Sequence, residues 1–129
     1  MALYVHKYGG TSVGSVERIE GVAKKIKKFK DEGHDVVVAV SAMSGETNRL
    51  IELANAITDQ PTPREMDVLV STGEQVTIAL LSMALNKLGV PARSYTGAQV
   101  KILTDSAHMK ARIQDIDTNK IKGDLSKGR

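Results

Sequence analysis

The sequence predicts an α/β fold with a mostly parallel sheet, and three features of its first forty residues support this prediction. Residues 3–5 form a short apolar run of strand type, and residues 35–40 form a continuous run rich in valine. A run of the second kind indicates a strand buried on both faces. Between them, apolar residues recur at spacings of three and four, which predicts an amphipathic helix: Val16, Ile19, Val22, Ala23, Ile26 and Phe29. Strand, helix and strand in this order make a βαβ unit.

The first helix has clear start and stop signals. Ser15 is a residue type that caps helix N-termini, and Gly33 is a type that ends helices. Much of the excess behind the formal net charge of +3 comes from five lysines of this helix: Lys24, Lys25, Lys27, Lys28 and Lys30. Lysines opposite an apolar stripe indicate a solvated helix face, so we expect no nucleic-acid partner.

Four further helices and three short strands complete the prediction. One helix spans 50–57, and another begins with Thr62 as N-cap, Pro63 in the first turn and Glu65 closing a capping box. A third, from 76 to 88, is apolar on nearly all sides, which predicts burial inside the domain or against a partner subunit. The strands are expected at 92–96, 100–104 and 111–113, before a weak last helix that starts at Thr118.

Composition limits the possible classes of function. The chain has 129 residues, the size of one domain, and its single Phe, three Tyr and absent Trp imply an aliphatic core. Base stacking on aromatic side chains is therefore disfavoured. The absence of cysteine excludes disulfides and thiolate metal sites, and the three histidines follow no metal-ligand spacing. The lack of cysteine fits a cytoplasmic protein, and because no apolar run reaches membrane-spanning length we expect no membrane partner.

Residues 7–14 contain the first candidate site, which we call the glycine loop. Lys7 ends the first strand, and Gly9 and Gly10 follow it just before the helix. Glycines allow close backbone approach to a ligand, and amides at a helix start favour negative charge. The pattern fits neither of the two common nucleotide-binding fingerprints. From these residues alone, a phosphate site and an ordinary strand-to-helix turn stay equally open.

Two further segments carry polar residues at positions where α/β sheets bind ligands. Residues 41–48, which we call the serine loop, follow the second strand and contain Ser41 and Thr47. The carboxyl ends of parallel strands are the usual ligand side of such a sheet. Glu74 closes the segment 70–74 just before the apolar helix, where an acid also stabilises a helix N-terminus.

Three segments together resemble the signature segments of the aspartate kinase family. They are K-Y-G-G-T-S-V at 7–13, S-A-M-S-G-E-T-N at 41–48 and V-S-T-G-E at 70–74, and the likeness extends over the whole chain. The resemblance implies the amino-acid-kinase fold, a three-layer α/β/α sandwich with a mostly parallel sheet. It also implies transfer of the ATP γ-phosphoryl to the side-chain carboxylate of L-aspartate. The product, 4-phospho-L-aspartate, is the first intermediate towards lysine, threonine and methionine.

The resemblance also implies roles for individual residues. Lys7 would be the catalytic residue that neutralises the transferring phosphoryl group. The ATP phosphates would be held at Lys7, Tyr8, Gly9, Gly10, Thr11 and Ser12, and L-aspartate at Ser41, Thr47 and Glu74. Mg²⁺ would accompany ATP, with no protein metal ligand assigned in this chain. A homodimer is the expected assembly.

The chain departs from the family in its extent. It corresponds to the N-terminal portion of an amino-acid-kinase domain, residues 1–129, and lacks the R-G-G-S-D and T-D-x-D-G segments of the nucleotide-binding half. ACT domains are also missing, so we expect little or no activity from the isolated chain. Two alternatives stay open. One is a kinase of the same fold acting on glutamate, N-acetylglutamate, carbamate or UMP, and the other is a non-catalytic dimerisation module.

Overall fold

The computed structural model describes residues 1–129 and begins with the predicted βαβ unit. Strand β1, Leu3–Tyr8, pairs in parallel with strand β2, Asp35–Val40, and helix α1, Val16–Asp31, connects them. The register places Leu3 beside Asp35 and Tyr8 beside Val40, so both strands end at the same edge. The parallel unit predicted from the sequence is therefore confirmed.

The ends of α1 follow the predicted signals. The Ser15 hydroxyl accepts a hydrogen bond from the Arg18 amide at 3.2 Å, which satisfies one free N–H of the first turn. Beyond the C-terminus, Gly33 has a φ of +85°. Residues other than glycine seldom adopt this left-handed backbone, so Gly33 ends the helix as predicted.

The segment predicted as two helices is one helix, α3, Pro63–Lys87, of 25 residues. Gly73 lies in its interior, so the prediction that Glu74 stands at a helix N-terminus is wrong. A glycine in a helix costs only about 1 kcal/mol, and packing of α3 against α1 and against α2, Glu46–Ile57, outweighs it.

The predicted capping box at the start of α3 is also wrong. Thr62 occupies the N-cap position, but its side chain makes no capping hydrogen bond. The Glu65 carboxylate instead accepts a hydrogen bond from Arg64 at 2.6 Å. The helix start therefore depends on Pro63, whose fixed φ suits the first turn.

The core is aliphatic, as the composition predicts, and lies between α1, α3 and one face of the sheet. It consists of Val13, Ile19, Val22, Ala23, Ile26, Leu81, Leu85 and Val90. Only one side of α3 contributes, because Val76 is 47% and Met83 64% exposed on the other sides. Burial inside the domain is therefore confirmed for one side of the helix only, and burial of the other sides against a partner subunit stays a prediction.

The prediction that no apolar run reaches membrane-spanning length is wrong, since α3 could cross a membrane by length and composition. A core helix of a globular domain passes the same test, and α3 packs against two other helices. This packing favours a core helix.

The second face of the sheet carries no helix. Val36, Val38 and Val40 pack on the core, whereas Leu3 and Val5 on β1 are 58% and 72% exposed. Successive side chains of a strand point to opposite faces. The predicted burial of β2 on both faces is thus wrong, since only one face is covered.

Residues 92–96 are not a strand, contrary to the prediction. A groove of about 610 Å³ lies between this segment and β2, so neither finds a backbone partner in the other. The Ala92 amide donates instead to the Asn86 side chain at 2.9 Å, and the Tyr95 hydroxyl donates to Asp124. Hydrogen bonds to side chains thus hold this segment in place of the backbone hydrogen bonds of a strand.

The last residues form a hairpin and a short helix. Strand β3, Ile102–Thr104, pairs antiparallel with β4, Ile113–Ile116, and helix α4 spans Asn119–Leu125. The strand predicted at 100–104 is confirmed but two residues shorter, and the one predicted at 111–113 begins only at Ile113. Thr118 precedes α4, as predicted.

Candidate active site

The glycine loop begins where β1 ends. After Tyr8, Gly9 is extended and the chain enters a 3₁₀ turn, Gly10–Val13, in which the Ser12 amide donates to the Gly9 carbonyl at 3.1 Å. The first N–H groups of such a turn have no partner within it. Amides at Gly10 and Thr11 are therefore placed to meet an anion.

Lys7 lies on the uncovered face of the sheet, beside Ala39 of β2. Its side chain folds over the glycine loop, with Nζ 4.0 Å from the position that a Cβ on Gly9 would occupy. None of the ion pairs in the structure includes Lys7. The Lys7 ammonium group thus places an uncompensated positive charge beside the amides of the loop.

Tyr8 points to the opposite face and is held on that side. Its hydroxyl lies 3.1 Å from His6 Nδ1, and partial burial raises the pKa of the Tyr8 phenol above its ordinary value of 10.0. The phenol is therefore neutral near pH 7. Because its side chain faces the core, Tyr8 can contribute to the loop only through its backbone.

The serine loop lies directly against the glycine loop. The Ser41 amide donates to the Tyr8 carbonyl at 3.1 Å, and the Ser44 amide donates to the Gly10 carbonyl at 3.2 Å. A Cβ on Gly10 would lie 3.1 Å from the Ala42 carbonyl oxygen, closer than normal packing allows. A side chain at position 10 would therefore require the two loops to shift by a few tenths of an ångström.

Thr47 is the second residue of α2 and is exposed beside an ion pair that sequence reasoning missed. Arg49 donates two hydrogen bonds to the Glu46 carboxylate, at 2.7 and 3.0 Å. These bonds hold the pKa of Glu46 below its ordinary value. An E-x-x-R spacing on a helix is the signal that could have found this pair. The positive charge of Arg49 offsets the negative charge of Glu46, which would otherwise repel anions at the serine loop.

Glu74 reaches this region from α3. It is exposed and takes part in none of the ion pairs. The preceding residue, Gly73, is buried against Ala42 of the serine loop. Helix α3 therefore packs against the serine loop at Gly73, and Glu74 is the next residue along the helix.

The groove beside β2 is separate from most of these residues. Its walls are largely apolar and include residues 36–40, together with Ser71 and Glu74. Lys7, Ser41 and Thr47 do not line it. The candidate site is thus the solvent-facing junction of the two loops, with Glu74 between that junction and the groove.

The residues present form no donor set for a metal ion. No three His, Asp or Glu side chains come together in the structure. A divalent ion at the glycine loop would need ligands from a bound phosphate group.

A family model decides how this geometry is classified. The model described as the amino acid kinase family matches residues 2–129. The chain belongs to the amino acid kinase family. Membership confirms the predicted fold class, and it accounts for a glycine loop and a serine loop that meet at the carboxyl ends of two parallel strands.

Relatives that are similar to this chain in sequence are named aspartate kinases or aspartokinases. The chain is 73% identical over 131 residues to an aspartate kinase of Pseudomonas fluorescens, and 74% identical over 129 residues to an aspartokinase of Pseudomonas aeruginosa. Each match covers 100% of this chain, but only 32% and 31% of the relative. The chain therefore spans about a third of the length of these curated relatives.

A solved structure gives the same result. The crystal structure of an aspartate kinase from Synechocystis superposes with a TM-score of 0.79 at 45% sequence identity. The match covers 99% of this chain and 20% of that one. The resemblance to aspartate kinases, inferred from three short segments, is confirmed along the whole chain. The roles of the individual residues stay predictions.

Proposed function

We propose that this chain supplies the phosphate-binding and aspartate-binding loops of an aspartate kinase. The reaction transfers the γ-phosphoryl group of ATP to the side-chain carboxylate of L-aspartate and yields 4-phospho-L-aspartate. The observation that carries the proposal is the junction of the three signature segments, where Ala42 lies so close to Gly10 and Gly73 that a Cβ on either would stand 3.1 or 3.0 Å from it. Relatives at 73% and 74% identity bear the name of this activity.

The glycine loop handles the phosphates. Phosphoryl transfer spreads negative charge over the equatorial oxygens, so catalysis depends on positioning and on electrostatic stabilisation. Lys7 is suited to this task because its ammonium group is exposed and unpaired above the loop. Backbone amides of Gly9, Gly10 and Thr11 hold phosphate oxygens, with Ser12 completing the turn.

The serine loop and α3 hold L-aspartate. The hydroxyls of Ser41 and Thr47 can each donate a hydrogen bond to a carboxylate oxygen. Glu74 is suited to the ammonium group of the substrate, because it is exposed and no basic side chain pairs with it. Arg49 keeps the nearby acid Glu46 compensated, which lowers repulsion of the substrate's two carboxylates.

ATP would bring Mg²⁺ with it, and the ion supplies charge neutralisation between the phosphates. This chain offers no donor set of its own for the ion. The protein would act in the cytoplasm and as a homodimer. Residues 1–129 would then be the N-terminal portion of the catalytic domain, inactive in isolation.

The test uses the complete open reading frame that encodes this chain. ADP formation should depend saturably on L-aspartate, and Lys7→Ala should lower kcat by about 10²–10³-fold, the usual effect of losing one group that stabilises the transition-state charge. Lys24→Ala is the matched control, since it removes an exposed lysine from the middle of α1. An enzyme that ignores aspartate and phosphorylates glutamate, N-acetylglutamate, carbamate or UMP would overturn the proposal.

A non-catalytic dimerisation module is the second candidate function. The exposed apolar side chains Val76 and Met83 on α3 favour it, because such residues often lie in subunit contacts. Calorimetric titration with ATP and with L-aspartate, combined with sedimentation, separates the two functions. A stable dimer that binds neither ligand would support the module.

A further inference from the structure

Gly73 occupies a position where the helix itself favours another residue. It lies in the interior of α3 and its backbone is not in the left-handed region, so no local conformation requires glycine. Glycine is disfavoured there relative to alanine because it loses more conformational freedom on folding. The reason for glycine must therefore lie in what surrounds it.

The surroundings of Gly73 leave little room for a side chain. An ideal Cβ at this position would lie 3.0 Å from the Ala42 Cβ, 3.5 Å from the Glu46 Cγ and 3.6 Å from a Leu50 methyl group. Carbon atoms in optimal contact are about 3.5–4.0 Å apart. The contact with Ala42 is thus too short by several tenths of an ångström, whereas the other two are close to normal.

Ala42 is the point at which three parts of the site meet. It is 5% exposed, and its carbonyl faces Gly10 while its methyl group faces Gly73. The serine loop therefore rests on the glycine loop at one side and on α3 at the other. The distance between α3 and the serine loop depends on the absence of a Cβ at Gly73.

We propose that Gly73 is a positioning residue that sets where Glu74 stands relative to Ser41 and Thr47. This inference rests on the proposed function, because those three side chains are the ones assigned to L-aspartate. Gly73 itself touches no substrate. It acts through its contact with Ala42, and a methyl group at position 73 moves Glu74 away from the serine loop.

The expected defect is selective for one substrate. A displacement of about 1 Å at a binding site can cost on the order of 100-fold in rate. Glu74 and the serine loop act on aspartate, so the KM for aspartate should rise. The glycine loop lies on the other side of Ala42 and keeps its hydrogen bonds to the serine loop, so the KM for ATP should change little.

The experiment compares four variants of the complete open reading frame. Gly73→Ala introduces the clash, and Ala42→Gly together with Gly73→Ala removes the methyl group that the new side chain would meet. Ala42→Gly alone measures the cost of that second change. Gly21→Ala is the matched control, since Gly21 is also helical but has no atom within 4 Å of an added Cβ.

Gly73→Ala should raise the KM for aspartate about tenfold or more, with the KM for ATP within about twofold of the wild type. The double variant should recover most of the loss, and Gly21→Ala should match the wild type. Thermal melting, recorded for each variant, identifies those that fold. Should Gly73→Ala alone fail to fold, the double variant decides, because a wild-type KM for aspartate supports the proposal.

An unchanged KM for aspartate in folded Gly73→Ala would overturn the inference, as would an equal rise in both KM values. A folded double variant without recovery would also overturn it. Failure of the proposed function is recognised separately, since the wild-type enzyme would then show no aspartate-dependent ADP formation. In that case the KM for the acceptor actually used takes the place of the KM for aspartate in the same comparison.

Discussion

Glu46 and Arg49 are a residue pair whose effect is on charge rather than on stability. The Arg49 side chain is 58% and the Glu46 side chain 27% exposed, and ion pairs in contact with solvent contribute little to stability. The two hydrogen bonds still fix the carboxylate in its charged form next to Thr47. The pair therefore determines the local charge at the serine loop without holding the fold together.

The first prediction concerns the titration of this pair. The pKa of Glu46 is lowered from 4.5, chiefly by the hydrogen bond from Arg49, so the pair persists as pH falls past 4.5 and is lost only at more acidic pH. NMR titration of the Glu46 side chain should give a midpoint below 4.5. In Arg49→Gln the midpoint should return towards 4.5.

Arg64→Gln serves as the control, because Arg64 is an exposed arginine paired with Glu65 at the start of α3. It should leave the Glu46 midpoint where it is in the wild type. An identical midpoint in the wild type and in Arg49→Gln would contradict the assignment of the shift to Arg49.

At the scale of elements, Asp124 on α4 joins three parts of the chain. Its carboxylate accepts hydrogen bonds from the Tyr95 hydroxyl and from Arg129 Nη1, the latter at 2.6 Å, and Arg93 approaches to 3.9 Å. Asp124 is buried, and the segment 92–96 has no strand partner. The Asp124 carboxylate therefore holds the segment 92–96 in place, as backbone hydrogen bonds to a neighbouring strand would hold a β-strand.

Asp124→Ala should lower the free energy of unfolding by about 1–3 kcal/mol, because the Tyr95 hydroxyl then loses its acceptor in a half-buried position. Tyr95→Phe removes only one bond and should cost about 0.5–1.5 kcal/mol. Chemical denaturation measures both values. Asp115→Ala on β4 is the control, since Asp115 is exposed and should change stability by less than about 0.5 kcal/mol.

At the scale of the whole molecule, apolar surface is unevenly covered. One face of the sheet formed by β1 and β2 packs on the core, whereas the other face exposes Leu3 and Val5. Both strands also have a free edge, since each pairs only with the other. Open edges and bare apolar faces are the features through which chains associate.

We therefore expect residues 1–129, expressed alone, to self-associate with increasing concentration. Sedimentation velocity should show a growing population of dimers or larger species. Val5→Lys places a charge on the bare face and should shift the distribution towards monomers. Val68→Lys, an exposed valine on α3, is the control for added charge. A monodisperse wild-type monomer with a sharp melting transition would contradict this prediction.

The sequence by itself determined the βαβ unit, the Ser15 cap, the stop at Gly33 and the family. Each of these depends on residues within a few positions of one another, or on short segments with a recognisable order of residues. Periodicity and capping are local effects, with energies set inside a single helix or strand. The glycine loop, the serine loop and Glu74 could therefore be identified from the order of residues alone.

Only the tertiary structure decided how those segments meet. Three features depend on residues far apart in the chain. They are the continuity of α3 through Gly73, the absence of a strand at 92–96 and the contacts of Ala42. A glycine inside a helical pattern looks like a break until its neighbour in space is known, and an extended segment becomes a strand only beside a partner. Neither the spatial neighbour of a glycine nor the partner of a strand can be predicted from nearby residues, because both are set by packing between segments far apart in the chain.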